Sequence, residues 1–83
     1  ALPIAVYPNP GNGDVHLHIQ AVASENAMIT VSDLNGKVFM LQQLDIVEGE
    51  QDFPLNLTSL AKGVYVLELS KSDETIHQKL IIQ

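Results

Sequence analysis

Three histidines are the residues of this chain best suited to bind a metal ion. His16 and His18 are two positions apart, which places both imidazoles on the same face of an extended strand. A zinc or copper site needs at least one more ligand, and His77 is distant in the sequence. Solvated side chains on an exposed strand face explain the pair more simply. We therefore predict no metal site.

Asparagine and aspartate side chains offer oxygen ligands of the kind that calcium prefers. Asn12, Gly13 and Asp14 form one cluster, and Asp33 and Asn35 form another. Neither cluster has the ligand spacing of a preformed calcium-binding loop. Both residue types are common in tight turns, because their side chains bond to the nearby backbone. Turn formation is therefore the simpler interpretation of both clusters.

A catalytic centre would need a nucleophile beside a base, or a pair of carboxylates. The serines lie in predicted turns or on polar strand faces, without the glycine-flanked elbow of an esterase. They are Ser24, Ser32, Ser59, Ser70 and Ser72. The acidic residues are dispersed and mostly at turns, so the sequence leaves a glycosidase pair open. A domain this small has little room for a deep substrate pocket, and we predict that it is not an enzyme and uses no cofactor.

Seven short β-strands are predicted to position these residues, and the central one spans 63–69. In that strand Tyr65, Leu67 and Leu69 share one face, because side chains alternate. Tyr65 is thereby predicted to be a core residue rather than a sugar-stacking aromatic, and its hydroxyl must reach a partner at the rim. The other strands are predicted at 4–7, 14–21, 27–33, 38–46, 53–57 and 75–83. No stretch has helical periodicity, and the pattern indicates an all-β antiparallel sandwich.

Local features refine this pattern. Asn35-Gly36 predicts a hairpin in which both residues adopt positive φ. The alternation is blurred at 39–41, which predicts a bulge or a register shift. Pro54 cannot donate to a ladder, so its strand is predicted at a sheet edge. The last strand is predicted to turn Ile76, Leu80 and Ile82 to one face.

Composition limits the possible partners. The chain has 83 residues with a net charge of −6, four lysines, no arginine and no cysteine. Nucleic acids and anionic membranes are poor partners for such a surface, and no disulfide or thiolate metal site can form. No apolar run is long enough to span a bilayer, and the beginning does not resemble a signal peptide. We expect a single domain over 1–83, cut from a larger protein.

Four motifs follow one another along this chain. They are Tyr7-Pro8-Asn9-Pro10 followed by Gly13, the hairpin at 33–37, Leu60-Ala61-Lys62-Gly63-Val64-Tyr65, and Lys79-Leu80-Ile81-Ile82-Gln83. Together they resemble, over essentially the whole chain, the type A C-terminal sorting domain of the type IX (Por) secretion system of Bacteroidetes. Gln83 departs from the basic or short polar ending of many members.

The resemblance implies a seven-stranded immunoglobulin-like β-sandwich at the end of a secreted cargo protein. The cargo would pass through the periplasm, and the outer-membrane translocon would then recognise the sorting domain. A sortase would cleave near or before Ala1, and the cargo would be released or attached to the cell surface. The implied recognition positions are Pro8, Asn9, Pro10, Gly13, Gly63, Tyr65, Lys79, Leu80, Ile81 and Ile82.

Individual roles for these positions also follow. The Pro8–Pro10 loop would be a rigid knob, and Gly63 would permit the corner into the central strand. Lys79 and Ile81 would lie on the outer face of the final strand, whose backbone edge would be open to an added strand or to an edge-strand dimer. Two alternatives stay open: an immunoglobulin-like accessory module that binds carbohydrate or protein for a larger secreted enzyme, and a plain structural spacer.

Overall fold

The computed structural model describes residues 3–83, so the expected cleavage position at Ala1 lies outside the described residues. Seven antiparallel strands form two sheets that pack as an immunoglobulin-like sandwich. They are β1 (Ile4–Tyr7), β2 (Asp14–Ala21), β3 (Glu25–Asp33), β4 (Val38–Ile46), β5 (Gly49–Asn56), β6 (Gly63–Lys71) and β7 (Glu74–Ile82). Within 3–83 there is no helix, and so none that could cross a membrane.

The smaller sheet has the strand order β1-β2-β5, and the larger has the order β4-β3-β6-β7. Strand β6 is an inner strand of the larger sheet, between β3 and β7, which confirms its predicted central position. Strand β5 is an edge strand, as Pro54 predicts. The edge strands of the larger sheet are β7 and β4, and the candidate site described below lies along β7.

The core lies between the sheets and follows the predicted alternation. Val15, Leu17 and Ile19 of β2 face Leu67 and Leu69 of β6 across it, and all of these side chains are buried. No polar or charged side chain of residues 3–83 is buried. Because polar atoms stay at the rims and outer faces, any recognition chemistry must be found there.

Strand ends differ from prediction by a few residues. β3 and β5 begin earlier than predicted, and β6 continues to Lys71, which pairs with Glu74 across a connection of only Ser72 and Asp73. The sequence pattern understates these ends because polar residues at a strand terminus pair through their backbone without contributing to the alternation. The predicted register shift is confirmed: Val31 pairs with Met40 and Ser32 with Val38, so Phe39 is the extra residue.

The hairpin prediction is correct in place and wrong in turn type. Gly36 has a φ of 89°, but Asn35 does not have a positive φ. The Asp33 carboxylate accepts hydrogen bonds from the backbone N–H groups of Asn35 (2.9 Å) and Lys37 (3.0 Å). This side-chain acceptor holds a three-residue loop in which glycine alone takes the left-handed conformation.

Candidate functional site

Asn9 joins the beginning of the domain to its end. Its side-chain Nδ2 donates to the carbonyl oxygen of Lys79 at 2.8 Å, and its Oδ1 accepts from the backbone N–H of Ile81 at 2.9 Å. Gly11 continues the contact: its N–H donates to the Ile81 carbonyl at 3.1 Å, and its carbonyl accepts from Gln83 at 2.8 Å. We call residues 8–11 the latch loop, because they bond along the outer edge of β7.

The residue types of the latch loop explain why it bonds to β7 through the Asn9 side chain and not as a paired strand. Pro8 and Pro10 have no N–H, so the backbone on either side of Asn9 cannot form a regular ladder. Both proline peptide bonds are cis. The Asn9 amide directs one N–H donor and its oxygen acceptor at β7, and it thereby replaces a peptide group. Pro8 and Pro10 are exposed and Asn9 is half-buried.

Gly13, two residues after the latch loop, contacts the segment that follows β5. It is buried with a φ of 101°, and its carbonyl accepts a hydrogen bond from the Leu57 N–H at 2.7 Å. A Cβ at this position would lie 2.5 Å from the Leu57 carbonyl oxygen, which real structures do not allow. Glycine is therefore required here both by the backbone conformation and by the close approach of another chain segment.

Tyr65 holds the corner through which the chain enters β6. The ring is buried, with 5% of its surface exposed, and the hydroxyl donates to the Ala61 carbonyl at 2.6 Å. Immunoglobulin-like sandwiches use a tyrosine in this way at the corresponding corner. Both parts of the prediction are confirmed, namely the core position and the hydroxyl partner at the rim. Phe39 packs edge-on against the ring, with 5.6 Å between the ring centroids.

The last strand completes the same end of the sandwich. Gly63 pairs with Ile82 and Tyr65 with Leu80. Leu80 and Ile82 are buried, whereas Lys79 is exposed and Ile81 half-buried on the outer face, as predicted. The structure thus brings the latch loop, the β6 corner and the end of β7 together, although the sequence separates them by as many as 72 positions.

The predicted open edge of β7 is wrong for residues 79–83. Lys79, Ile81 and Gln83 direct their backbone groups outward, and these groups bond to Asn9 and Gly11 instead of facing solvent. By the alternation of an antiparallel ladder, Thr75 and His77 direct theirs the same way. Sequence reasoning missed the latch, and the available clue was an asparagine between two residues that lack an N–H.

The histidines bind neighbouring side chains instead of forming a cluster. Asp52 Oδ1 accepts hydrogen bonds from His18 Nδ1 at 2.8 Å and from the Tyr7 hydroxyl at 3.1 Å, and Tyr7 stacks on His16. His77 lies on the other sheet, with its Nε2 3.3 Å from Glu68. Residues 3–83 contain no group of three histidines or acidic residues able to hold a metal.

These contacts shift two pKa values. The hydrogen bond from His18 lowers the pKa of the Asp52 carboxyl. Partial desolvation, followed by the hydrogen bond to Asp52, raises the pKa of the Tyr7 hydroxyl.

The candidate calcium ligands form turn hydrogen bonds: Asn12 Oδ1 accepts from the Asp14 N–H at 3.0 Å, and Asp33 closes the hairpin.

The chain is similar in sequence to a known protein family. The sequence profile of the secretion system C-terminal sorting domain matches residues 5–83, which include the latch loop, the β6 corner and the whole of β7. No curated protein matches the chain. The family is a sorting signal of the type IX (Por) secretion system and is not a catalytic family; it directs proteins through the outer membrane to the exterior or the cell surface. The chain belongs to the family of secretion system C-terminal sorting domains.

Proposed function

We propose that the type IX machinery recognises this sorting domain as a folded object, at the end of the sandwich held by the latch loop. The recognition residues are Pro8, Asn9, Pro10, Gly13, Gly63, Tyr65, Lys79, Leu80, Ile81 and Ile82. The observation that carries the proposal is the pair of hydrogen bonds that Asn9 makes, donating to the Lys79 carbonyl and accepting from the Ile81 N–H, because it joins the first and last motifs of the chain.

These residues divide into two groups by exposure. Gly13, Tyr65, Leu80 and Ile82 are buried, so they support recognition by building the end of the sandwich. Pro8, Pro10 and Lys79 are exposed and Ile81 is half-buried on the outer face, so these side chains are available to a partner. Asn9 and Gly63 lie between the two groups. Asn9 uses its amide internally, and Gly63 begins the central strand.

The remaining parts of the proposal concern what the domain is attached to. We propose that it is the C-terminal part of a longer secreted protein, that a sortase removes it after export, and that it has no catalytic activity of its own. A second copy would pair along β7, at the backbone groups of Thr75 and His77 that the latch loop leaves uncovered. That edge-strand dimer is short, because only residues 74–78 precede the latch.

Reporter export tests the proposal. Residues 1–83 are fused behind a periplasmic reporter in a host with a type IX system, and surface reporter is measured for wild type, Lys79→Ala and Lys62→Ala. Both lysines are exposed, but Lys62 precedes β6 in the loop, so it serves as the matched charge control. We expect export of the wild type and of Lys62→Ala, and retention of Lys79→Ala at an unchanged melting temperature.

Retention of the wild-type fusion in the periplasm would contradict the proposal, and saturable glycan binding would then favour the accessory-module alternative. Equal export of all three proteins would remove Lys79 from the recognition residues. A truncation ending at Gln78 is a poorer test, because it also deletes Leu80 and Ile82 from the core. Losing two buried aliphatic side chains costs about 2–5 kcal/mol each, which unfolds a domain of this size.

A further inference from the structure

The two outer faces of the sandwich differ in chemistry. On the β1-β2-β5 sheet the outward residues are mostly polar or acidic, among them His16, His18, Gln20, Glu50 and Asp52. The outward residues of the other sheet include several aliphatic side chains. Val38, Leu41 and Val64 are 52%, 66% and 37% exposed, and Val66 and Ile81 are half-buried. The larger sheet thus exposes more aliphatic surface than the smaller one, and a concentration of exposed apolar side chains on one face is typical of a binding surface.

Strand register places Val64, Val66 and Ile81 in two adjoining rows, and Ser32 separates Val38 from Val66 within one of them. Val66 pairs with Lys79 on β7 and with Ser32 on β3, and Ser32 pairs with Val38 on β4, so one row crosses the whole sheet. Val64 pairs with Ile81 in the adjoining row. Directly opposed residues on one face have Cβ atoms about 5 Å apart, so each row is continuous. We call Val38, Val64, Val66, Lys79 and Ile81 the apolar face.

Lys79 is the single positive charge of this face. Among residues 3–83 its ammonium has no carboxylate partner, whereas the Lys71 ammonium contacts Asp73 at 2.7 Å and Glu25 at 3.2 Å. Lys37 lies over the Phe39 ring at 5.2 Å. An unpaired ammonium at the edge of an apolar surface is a position for an acidic group of a partner, where the pairing is strengthened by exclusion of water.

We propose that the apolar face is the docking surface for a protein of the secretion machinery, whose own surface is apolar with a carboxylate opposite Lys79. This inference rests on the proposed function and deepens it, because it adds Val38, Val64 and Val66 to the recognition residues. The latch loop occupies the outward backbone groups of Lys79–Gln83, so a partner cannot pair with them as an added strand. The partner therefore contacts side chains on this part of β7.

A second copy of the chain fits this face less well than such a partner. Each copy carries a net charge of −6, and like charges at this density oppose association. The face also offers one ammonium and no carboxylate among its five residues, so a second copy provides no acidic partner for Lys79 from the same five residues. In a two-fold symmetric dimer both copies use the same surface, so the Lys79 ammonium would be covered without a carboxylate opposite it.

Export and sedimentation of face variants test the inference. Val64→Thr/Ile81→Thr keeps two β-branched residues in their strands and removes apolar surface, and Lys79→Glu reverses the charge. Val22→Thr, at a 91% exposed position outside the strands, and Lys62→Glu are the matched controls. Lys79→Arg keeps the positive charge. All variants are first compared with the wild type by thermal unfolding, and the wild type is examined by sedimentation.

We expect both face variants to lose surface reporter by about tenfold or more, the loss for one important interface contact. Both controls and Lys79→Arg are expected to export like the wild type, and the face variants should sediment like the wild type. Normal export of Lys79→Glu and of the double threonine variant would overturn this inference alone. If the wild type forms a dimer that the face variants abolish, the apolar face binds a second copy of the chain, and that result would overturn the inference too. Retention of the wild type would overturn the proposed function itself.

Discussion

The side chain of Asn9 accepts a hydrogen bond from the backbone N–H of Ile81 at 2.9 Å, across 72 positions of the chain. This contact joins the smaller sheet, through the loop that follows β1, to the β7 edge of the larger one. The edge of a sheet is a place where unwanted strands add. The domain protects the last residues of β7 with an amide, and it leaves the side chains of Lys79 and Ile81 available on the outer face.

Removing the Asn9 amide tests how much the latch stabilises the fold. Asn9→Ala loses both hydrogen bonds, and we expect a loss of about 1–3 kcal/mol in the free energy of unfolding, measured in urea. Hydrogen exchange of the Ile81 amide should accelerate as well. Asn9→Asp can still accept from Ile81, but its second oxygen faces the Lys79 carbonyl oxygen, so two acceptors meet and this variant is also expected to lose stability. Unchanged stability and exchange in Asn9→Ala would contradict a stabilising latch.

Glycine is required at Gly13 and at Gly36 for different reasons. Both have positive φ, but a Cβ at Gly13 would overlap the Leu57 carbonyl, whereas a Cβ at Gly36 meets no atom within 4 Å. Gly36→Ala is expected to cost about 1–2 kcal/mol, the penalty for a left-handed residue. Gly13→Ala must also displace the backbone at Leu57, so its cost should be clearly larger. Equal urea midpoints for the two variants would argue against the close approach at Gly13.

The sequence predicts the strands well because alternation is a local property. Val15, Leu17 and Ile19 are buried as their spacing predicts, and the blurred pattern at 39–41 indicates the extra residue Phe39. The Asn9 contact has no local pattern, because its partners are backbone groups far along the chain. Register across the sheet is also nonlocal, so the row that joins Val66 to Lys79 is known only from the structure.

The Tyr65 hydroxyl should contribute measurably to stability, unlike the Tyr7 hydroxyl. Tyr65 is buried and donates to the Ala61 carbonyl at 2.6 Å, whereas Tyr7 is 44% exposed. Tyr65→Phe keeps the ring in place and is expected to lose about 0.5–1.5 kcal/mol of unfolding free energy. Tyr7→Phe is the matched control and should change it little. If both variants unfold at the wild-type urea concentration, the corner hydrogen bond is not stabilising.

Asp52 makes stability depend on pH in the acid range. Its hydrogen bond from His18 lowers the pKa of the carboxyl below the usual value of 3.8 in the folded state. The unfolded chain therefore binds the proton more readily than the folded one. The ionised Asp52 carboxylate thus contributes to the free energy of unfolding fully above about pH 4, and this contribution is lost as the pH falls through the folded-state pKa. We expect Asp52→Asn to be less stable than the wild type at pH 6, with the difference shrinking towards pH 2. Asp45→Asn, on the exposed side of β4, is the control, and a difference for Asp52→Asn that stays constant between pH 6 and pH 2 would show that the carboxylate's charge is not the cause.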